Sequence, residues 1–85
     1  MKWFLYVLRS VPTGKHYIGI AADVARRLHE HNTKNGRWTS SYKPWELIIV
    51  EEYADRTAAN RRERFLKSRD GISARKDLIN GEGKI

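Results

Sequence analysis

The sequence contains no cysteine, two prolines and one methionine. Without cysteine there is no disulfide framework, no thiolate zinc site and no cysteine nucleophile, and the chain suits a reducing compartment. Long apolar runs are also missing. The longest, Trp3-Phe4-Leu5-Tyr6-Val7-Leu8, stops at Arg9, far short of the roughly 20 residues that cross a bilayer. It follows Met1-Lys2 and is not succeeded by a small-residue cleavage site, so it does not read as a secretory leader. The expectation is a cytoplasmic protein, complete as written, without a membrane partner. Neither internal repeats nor low-complexity stretches occur. The patterns GxxxxGK[ST], GxGxxG and GxSxG are absent, which removes the common nucleotide-binding and serine-hydrolase readings. The chain has 85 residues, a length that buries only about 60–65% of its unfolded surface, so a deep substrate cavity is not expected.

Positive charge is what the chain has in excess. Lys and Arg number 17 against 10 Asp and Glu, a net charge of +7 and a pI near 10.1. Such an imbalance points to a polyanionic partner. It is uneven along the chain. Residues 1–43 hold eight basic residues against Asp23 and Glu30, whereas residues 44–85 hold nine against eight acidic ones. The polyanion footprint is therefore expected mainly in the first half, with one basic helix added later.

The continuous β-forming run from Trp3 to Leu8 predicts a central strand buried on both faces. Val11-Pro12-Thr13-Gly14-Lys15 carries turn residues, and His16-Tyr17-Ile18-Gly19-Ile20 predicts a second strand completing a hairpin. Gly19 within that strand marks a bulge or a close backbone approach. Asp23 is the expected N-cap of a helix over residues 24–32, with Val24, Leu28 and Ala25 facing inward. Residues 32–42, rich in Asn, Gly, Ser and Thr, read as a loop holding Trp38. Residues 46–53 read as a third strand. Asp55 or Thr57 caps a second helix to about Ser68, with Ala58, Ala59, Phe65 and Leu66 as its core stripe. Asp70-Gly71 is expected to end it through a left-handed glycine, and Ser73 to cap a final helix containing Leu78 and Ile79. The expected class is α+β, an α/β sandwich in the order ββαβαα, with a three-stranded mainly antiparallel sheet flanked by helices. Residues 1–80 form a single domain in this reading and 81–85 a frayed tail.

Several residues have the chemistry to act on a polyanion. Arg9, Lys15, Arg26, Arg27, Lys34, Arg37 and Lys43 punctuate a segment that also holds Tyr6, Tyr17, Trp38 and Tyr42. Cations neutralise phosphates, and aromatic faces stack on bases. Arg27 and His31 are spaced i, i+4 and share a stripe of the first helix. Guanidinium and imidazole facing one point suit phosphodiester chemistry, in which one stabilises charge and the other relays a proton. Tyr6 and Tyr17 fall on paired strands. A phenol with a pKa near 10 becomes a usable base only beside a metal, a histidine or a cation. Glu63 is the one acid in Arg61-Arg62-Glu63-Arg64. A lone carboxylate holds a hard divalent cation when water and substrate phosphate complete the shell. The plainer reading is an ion pair with Lys67 at i+4. The three histidines at 16, 29 and 31 do not match zinc-site spacing.

In order, these residues resemble the GIY-YIG nuclease superfamily, over residues 3 to about 70. Tyr17-Ile18-Gly19 matches the second motif whole, and Phe4-Leu5-Tyr6 keeps the tyrosine of the first. The helix from Asp23 to Asn32 resembles the family's D-x-x-x-R-x-x-x-H-N pattern, Lys43-Pro44-Trp45-Glu46-Leu47 its RP-aromatic-x-L segment, and Ala59 to Lys67 the helix bearing its metal-binding glutamate. The chain is most similar to the short bacterial UPF0213-like branch. The resemblance implies a divalent-metal-dependent endonuclease that hydrolyses DNA phosphodiester bonds, in repair or recombination. It implies Tyr6 as general base, Tyr17 as the residue beside it that positions water or supports phenolate, and Arg27 on the scissile phosphate. His31 would bond Tyr6 or the phosphate, and Glu63 would hold one Mg²⁺ or Mn²⁺. Nucleic-acid contacts would fall to Arg9, Lys15, Arg26, Lys34, Arg37, Trp38 and Lys43. The alternative is a non-catalytic module that binds nucleic acid on the same fold. The expected partner is DNA, with RNA open; the expected state is monomer or homodimer, with a protein partner as one source of specificity. Phe4 and Leu5 stand where the first motif has Gly and Ile, and their bulk is expected to narrow the substrate approach.

Overall fold

The computed structural model describes residues 1–33 and 42–81. Its elements are β1 (Trp3–Ser10), β2 (His16–Ala21), α1 (Val24–Thr33), β3 (Trp45–Tyr53), α2 (Arg56–Lys67), a 3-10 turn (Arg69–Gly71) and α3 (Ile72–Gly81). The order ββαβαα is the expected one.

The most apolar strand takes the middle place. Both neighbours pair antiparallel with β1, giving the order β2-β1-β3. Leu5, Tyr6, Val7 and Leu8 are all buried, which only a strand covered on both faces permits. Alternation then divides β1 between two cores. Leu5 and Val7 pack with Ile18 and with Leu66 of α2, and Leu78 and Ile79 of α3 lean against them. Tyr6 and Leu8 pack with Ala21 and Trp45, under Val24 and Leu28 of α1. Helices thus cover each face, α1 on one and α2 with α3 on the other. Burying one such leucine fully stabilises by roughly 1.5–3 kcal/mol.

Local signals fix the joints. Gly14 adopts φ +76° in the β1–β2 turn, the left-handed value that glycine tolerates. Asp23 Oδ1 accepts the Arg26 N–H at 3.0 Å, capping α1, and Asp55 Oδ1 accepts the Ala58 N–H at 2.9 Å, capping α2. The Lys43–Pro44 peptide leading into β3 is cis.

Four local expectations need correction. Ala25 is exposed, because the inward stripe of α1 runs through Val24, Leu28 and His31 and leaves Ala25 outside it. Phe65 is 42% exposed; Leu66, one residue on, turns to the sheet in its place. α2 ends at Lys67, and Gly71 is not left-handed. Gly71 is buried, and a Cβ there would overlap the Phe65 carbonyl oxygen, so it is the close approach that demands glycine. α3 begins at Ile72, so Ser73 lies inside it, and it continues through Gly81. Lys34, Arg37 and Trp38 lie outside the described residues.

Candidate active site

The register of the first hairpin builds the site. Tyr6 pairs with Gly19 and Leu8 with Tyr17. Residues directly opposite share a face of the sheet, so Tyr6 and Tyr17 lie diagonally together on the α1 side. Gly19 makes room for the first of them. A Cβ at Gly19 would stand 2.7 Å from Tyr6 Oη and 2.8 Å from Tyr6 Cζ, so the Tyr6 ring crosses the space any larger residue would fill.

α1 delivers the next two groups. Tyr6 Oη and His31 Nε2 are hydrogen-bonded at 3.1 Å in a buried setting. Arg27, one turn earlier, has its guanidinium near enough to the same hydroxyl to shift it, while Glu30 Oε1 accepts from Arg27 Nη1 at 2.8 Å. The shared stripe of Arg27 and His31 therefore converges on one phenol. The Tyr17 and His31 rings stand 4.7 Å apart, and Trp45 closes the far side at 6.3 Å from Tyr17 and 6.5 Å from His31.

Glu63 approaches from the other layer. α2 packs on the Leu5 side of the sheet, but β2 is an edge strand, and side chains of α2 pass around that edge. Lys67 Nζ bonds Glu63 Oε2 at 3.1 Å and lies 5.9 Å from the centroid of the Tyr17 ring. Glu63 is thus linked to the tyrosine cluster only through Lys67, and the ion pair expected for it is present.

The electrostatics follow from burial. Tyr6 is 1% exposed, and desolvation pushes its phenol up to about 12. The adjacent guanidinium works in the opposite direction, favouring phenolate, while the nearby Tyr17 hydroxyl adds to the rise. Arg27 is itself raised, first by its bond to Tyr6. At neutral pH Tyr6 is therefore a neutral phenol beside a cation and an imidazole.

The donor set fits one hard cation. Among the described residues no three His, Cys, Asp or Glu side chains cluster as a metal cage. Glu63 presents a carboxylate with one oxygen turned to Lys67, and a divalent ion held by a single carboxylate completes its shell with water and phosphate oxygens.

The expected nucleic-acid contacts are scattered by comparison. Arg9 Nε donates to Glu46 Oε1 at 2.7 Å. Lys15 Nζ lies 5.1 Å from the centroid of the Tyr42 ring. Arg26 pairs with Glu30 at 3.4 Å, and Lys43 is exposed just before β3. Two residues that matter to the site were not singled out for it. Trp45 is 3% exposed and forms the wall of the cluster. Asn32 holds it there: Trp45 N–H donates to Asn32 Oδ1 at 2.6 Å and Asn32 Nδ2 donates to the Trp45 carbonyl at 3.1 Å. An asparagine at a helix end reads as a stop signal, so only the packing of α1 against β3 reveals the clamp. Leu5 faces the opposite core, so its bulk does not enter the site. Phe4 shares the face of Tyr6 by alternation, two pairs beyond it opposite Ala21.

Known proteins are similar to this chain in sequence and in fold. A UPF0213 protein of Desulfotalea psychrophila is 39% identical over 67 residues, covering 76% of this chain and 60% of that protein. A UPF0213 protein of Staphylococcus epidermidis is 34% identical, covering 79% and 82%. The structure-specific endonuclease subunit SLX1 of Homo sapiens is 38% identical over 52 residues, covering 56% and 19%. The chain thus spans about 60% of the length of the first of these relatives and far less of the human one. The solution NMR structure of a UPF0213 protein from Bacillus halodurans matches with a TM-score of 0.56 at 27% identity, covering 98% of this chain and 87% of that one. The model of the GIY-YIG catalytic domain matches residues 2–73, and the chain belongs to the GIY-YIG family.

Proposed function

We propose that the protein is a divalent-metal-dependent endonuclease that hydrolyses DNA phosphodiester bonds. The observation that carries this reading is the buried hydrogen bond between the Tyr6 hydroxyl and His31 Nε2, with Arg27 one turn away on the same helix stripe. A phenol pushed up to about 12 is a poor base alone. With its proton shared toward His31, it accepts one from an attacking water as it passes its own to the imidazole. Arg27 meets the charge that builds on the phosphate. Tyr17, packed between Tyr6 and Lys67, orients the water. Glu63 would hold one Mg²⁺ or Mn²⁺, which would supply Lewis-acid stabilisation of the departing 3′ oxygen. Relatives named as structure-specific endonuclease subunits favour a substrate chosen by shape and a partner that supplies further specificity, and they favour a place in DNA repair.

The test is cleavage of plasmid and branched DNA with Mg²⁺ or Mn²⁺. Tyr6→Phe and Glu63→Gln are each expected to lower kcat by about 10²-fold or more, and chelation to abolish turnover. Wild-type rates in Glu63→Gln would overturn the mechanism. Salt-sensitive DNA binding with no cleavage under any metal would establish the non-catalytic module instead.

A further inference from the structure

Two clefts meet the site at opposite ends of β2. The first, about 320 Å³, is lined by His16, Ile18, Lys67, Arg75 and Ile79. The second, about 420 Å³, is bounded by Trp3, Asp23, Arg26, Arg27, Glu30 and Arg56. Each has a residue next to the tyrosine cluster. Lys67 bonds Glu63 and overlies Tyr17, and Arg27 lies one turn before His31 on α1.

α2 follows the same line as β2. Arg56, its first residue, lies 5.3 Å from the centroid of the Trp3 ring at one end, and Lys67, its last, lines the other cleft. Arg56, Glu63 and Lys67 are spaced i, i+7, i+11, which is one stripe of a helix. The carboxylate of the site therefore sits between two cationic ends. The lining of the first cleft includes no carboxylate, and Arg75 is half-buried there with no ion-pair partner among the described residues. In the second cleft the acids are engaged: Asp23 caps α1, and Glu30 pairs with Arg26 and Arg27.

We propose that the two clefts are phosphate subsites of one nucleic-acid track along the outer edge of β2. His16, Lys67 and Arg75 hold one end, and Arg26 and Arg56 hold the other. The assignment rests on the nuclease reading of the site between them. Six strand residues span about 20 Å, the axial length of roughly six nucleotides of one strand. The scissile phosphate lies between the clefts, beside Tyr6 and Tyr17, with Arg27 at the mouth of one cleft and Lys67 at the mouth of the other. Because Arg56 covers a face of the Trp3 ring, Trp3 serves as a wall that fixes the guanidinium.

The test is metal-free binding of a labelled duplex and of its single strand, by fluorescence anisotropy across a salt series. Arg56→Ala and Arg75→Ala are each expected to weaken binding several-fold. Each is expected to reduce the slope of log Kd against log salt by about 0.9 on duplex or 0.7 on single strand, the loss of one phosphate contact. The double variant loses both increments, while Arg56→Lys and Arg75→Lys keep the slope, which separates charge from folding. Unchanged affinity and slope in both alanine variants would overturn the track, as would absence of binding by the wild type. If the slopes change but no DNA is cut, the track stands and the nuclease reading falls. If DNA is cut while the slopes hold, the reverse follows.

Discussion

Tyr6 and Gly19 work as a unit, and each explains the other. The phenol is placed where a Cβ on the opposite strand would stand within 2.7 Å of its oxygen. Gly19→Ala therefore has to move the ring or the strand, and the buried hydroxyl loses its alignment with His31. A destabilisation of about 1–3 kcal/mol is expected, as for other overpacked cores, together with a fall in cleavage beyond what the lost stability explains. Denaturant unfolding alongside rates at full folding separates the two; wild-type stability and rate would contradict the close approach. The tyrosines and Gly19 were readable as a motif, since phenols and a mid-strand glycine stand out in any sequence. What could not be read was the state of Tyr6. Its phenol is shifted by burial and by a cation that arrives from another element, and neither is local in the chain.

Between elements, the decisive contact is the one from α1 to β3. Asn32, next to His31, satisfies both the N–H and the carbonyl of Trp45, and Trp45 in turn packs beside His31 and Tyr17. The clamp ties the histidine's helix to the strand that walls the site. Asn32→Ala leaves two buried backbone groups without that partner, at a cost of about 1–3 kcal/mol. A lowered melting temperature by differential scanning fluorimetry is the expected result, with Asn32→Asp, which keeps the acceptor, falling between. An unchanged midpoint in Asn32→Ala would deny the clamp its role. Strands, caps and turns were largely readable, since alternation, Asp23, Asp55 and Gly14 are local signals. The face of α2 was less so. Phe65 and Leu66 are adjacent apolar residues, and only the sheet beneath them selects Leu66 for burial. Gly71 was recognised as special for the wrong reason, because a clash with the Phe65 carbonyl appears only once the chain has turned back on itself.

For the molecule as a whole, the raised Tyr6 phenol couples the site to global stability. Its pKa is about 12 in the folded protein against about 10 unfolded. Folding therefore favours the protonated form, and the stabilisation is complete below the unfolded value and lost as pH rises through the folded one. A shift of that size corresponds to roughly 2–3 kcal/mol. Unfolding free energies measured from about pH 9 to about pH 12 are expected to fall more steeply for wild type than for Tyr6→Phe, and parallel curves would contradict it. The same scale divides what each source of information determined. Composition and order of residues alone set the cationic character, the exclusion of thiol chemistry, the α+β class and the likeness to the GIY-YIG nucleases, because these rest on residue type and on spacing along one element. Tertiary structure decided which cations face the site. Arg9 turned to Glu46, while Lys67, from the half of the chain with little excess charge, came to pair with Glu63 and to lie near the Tyr17 ring. Charge counted along a sequence carries no direction, and only the packing of α2 beside the edge of β2 supplied one.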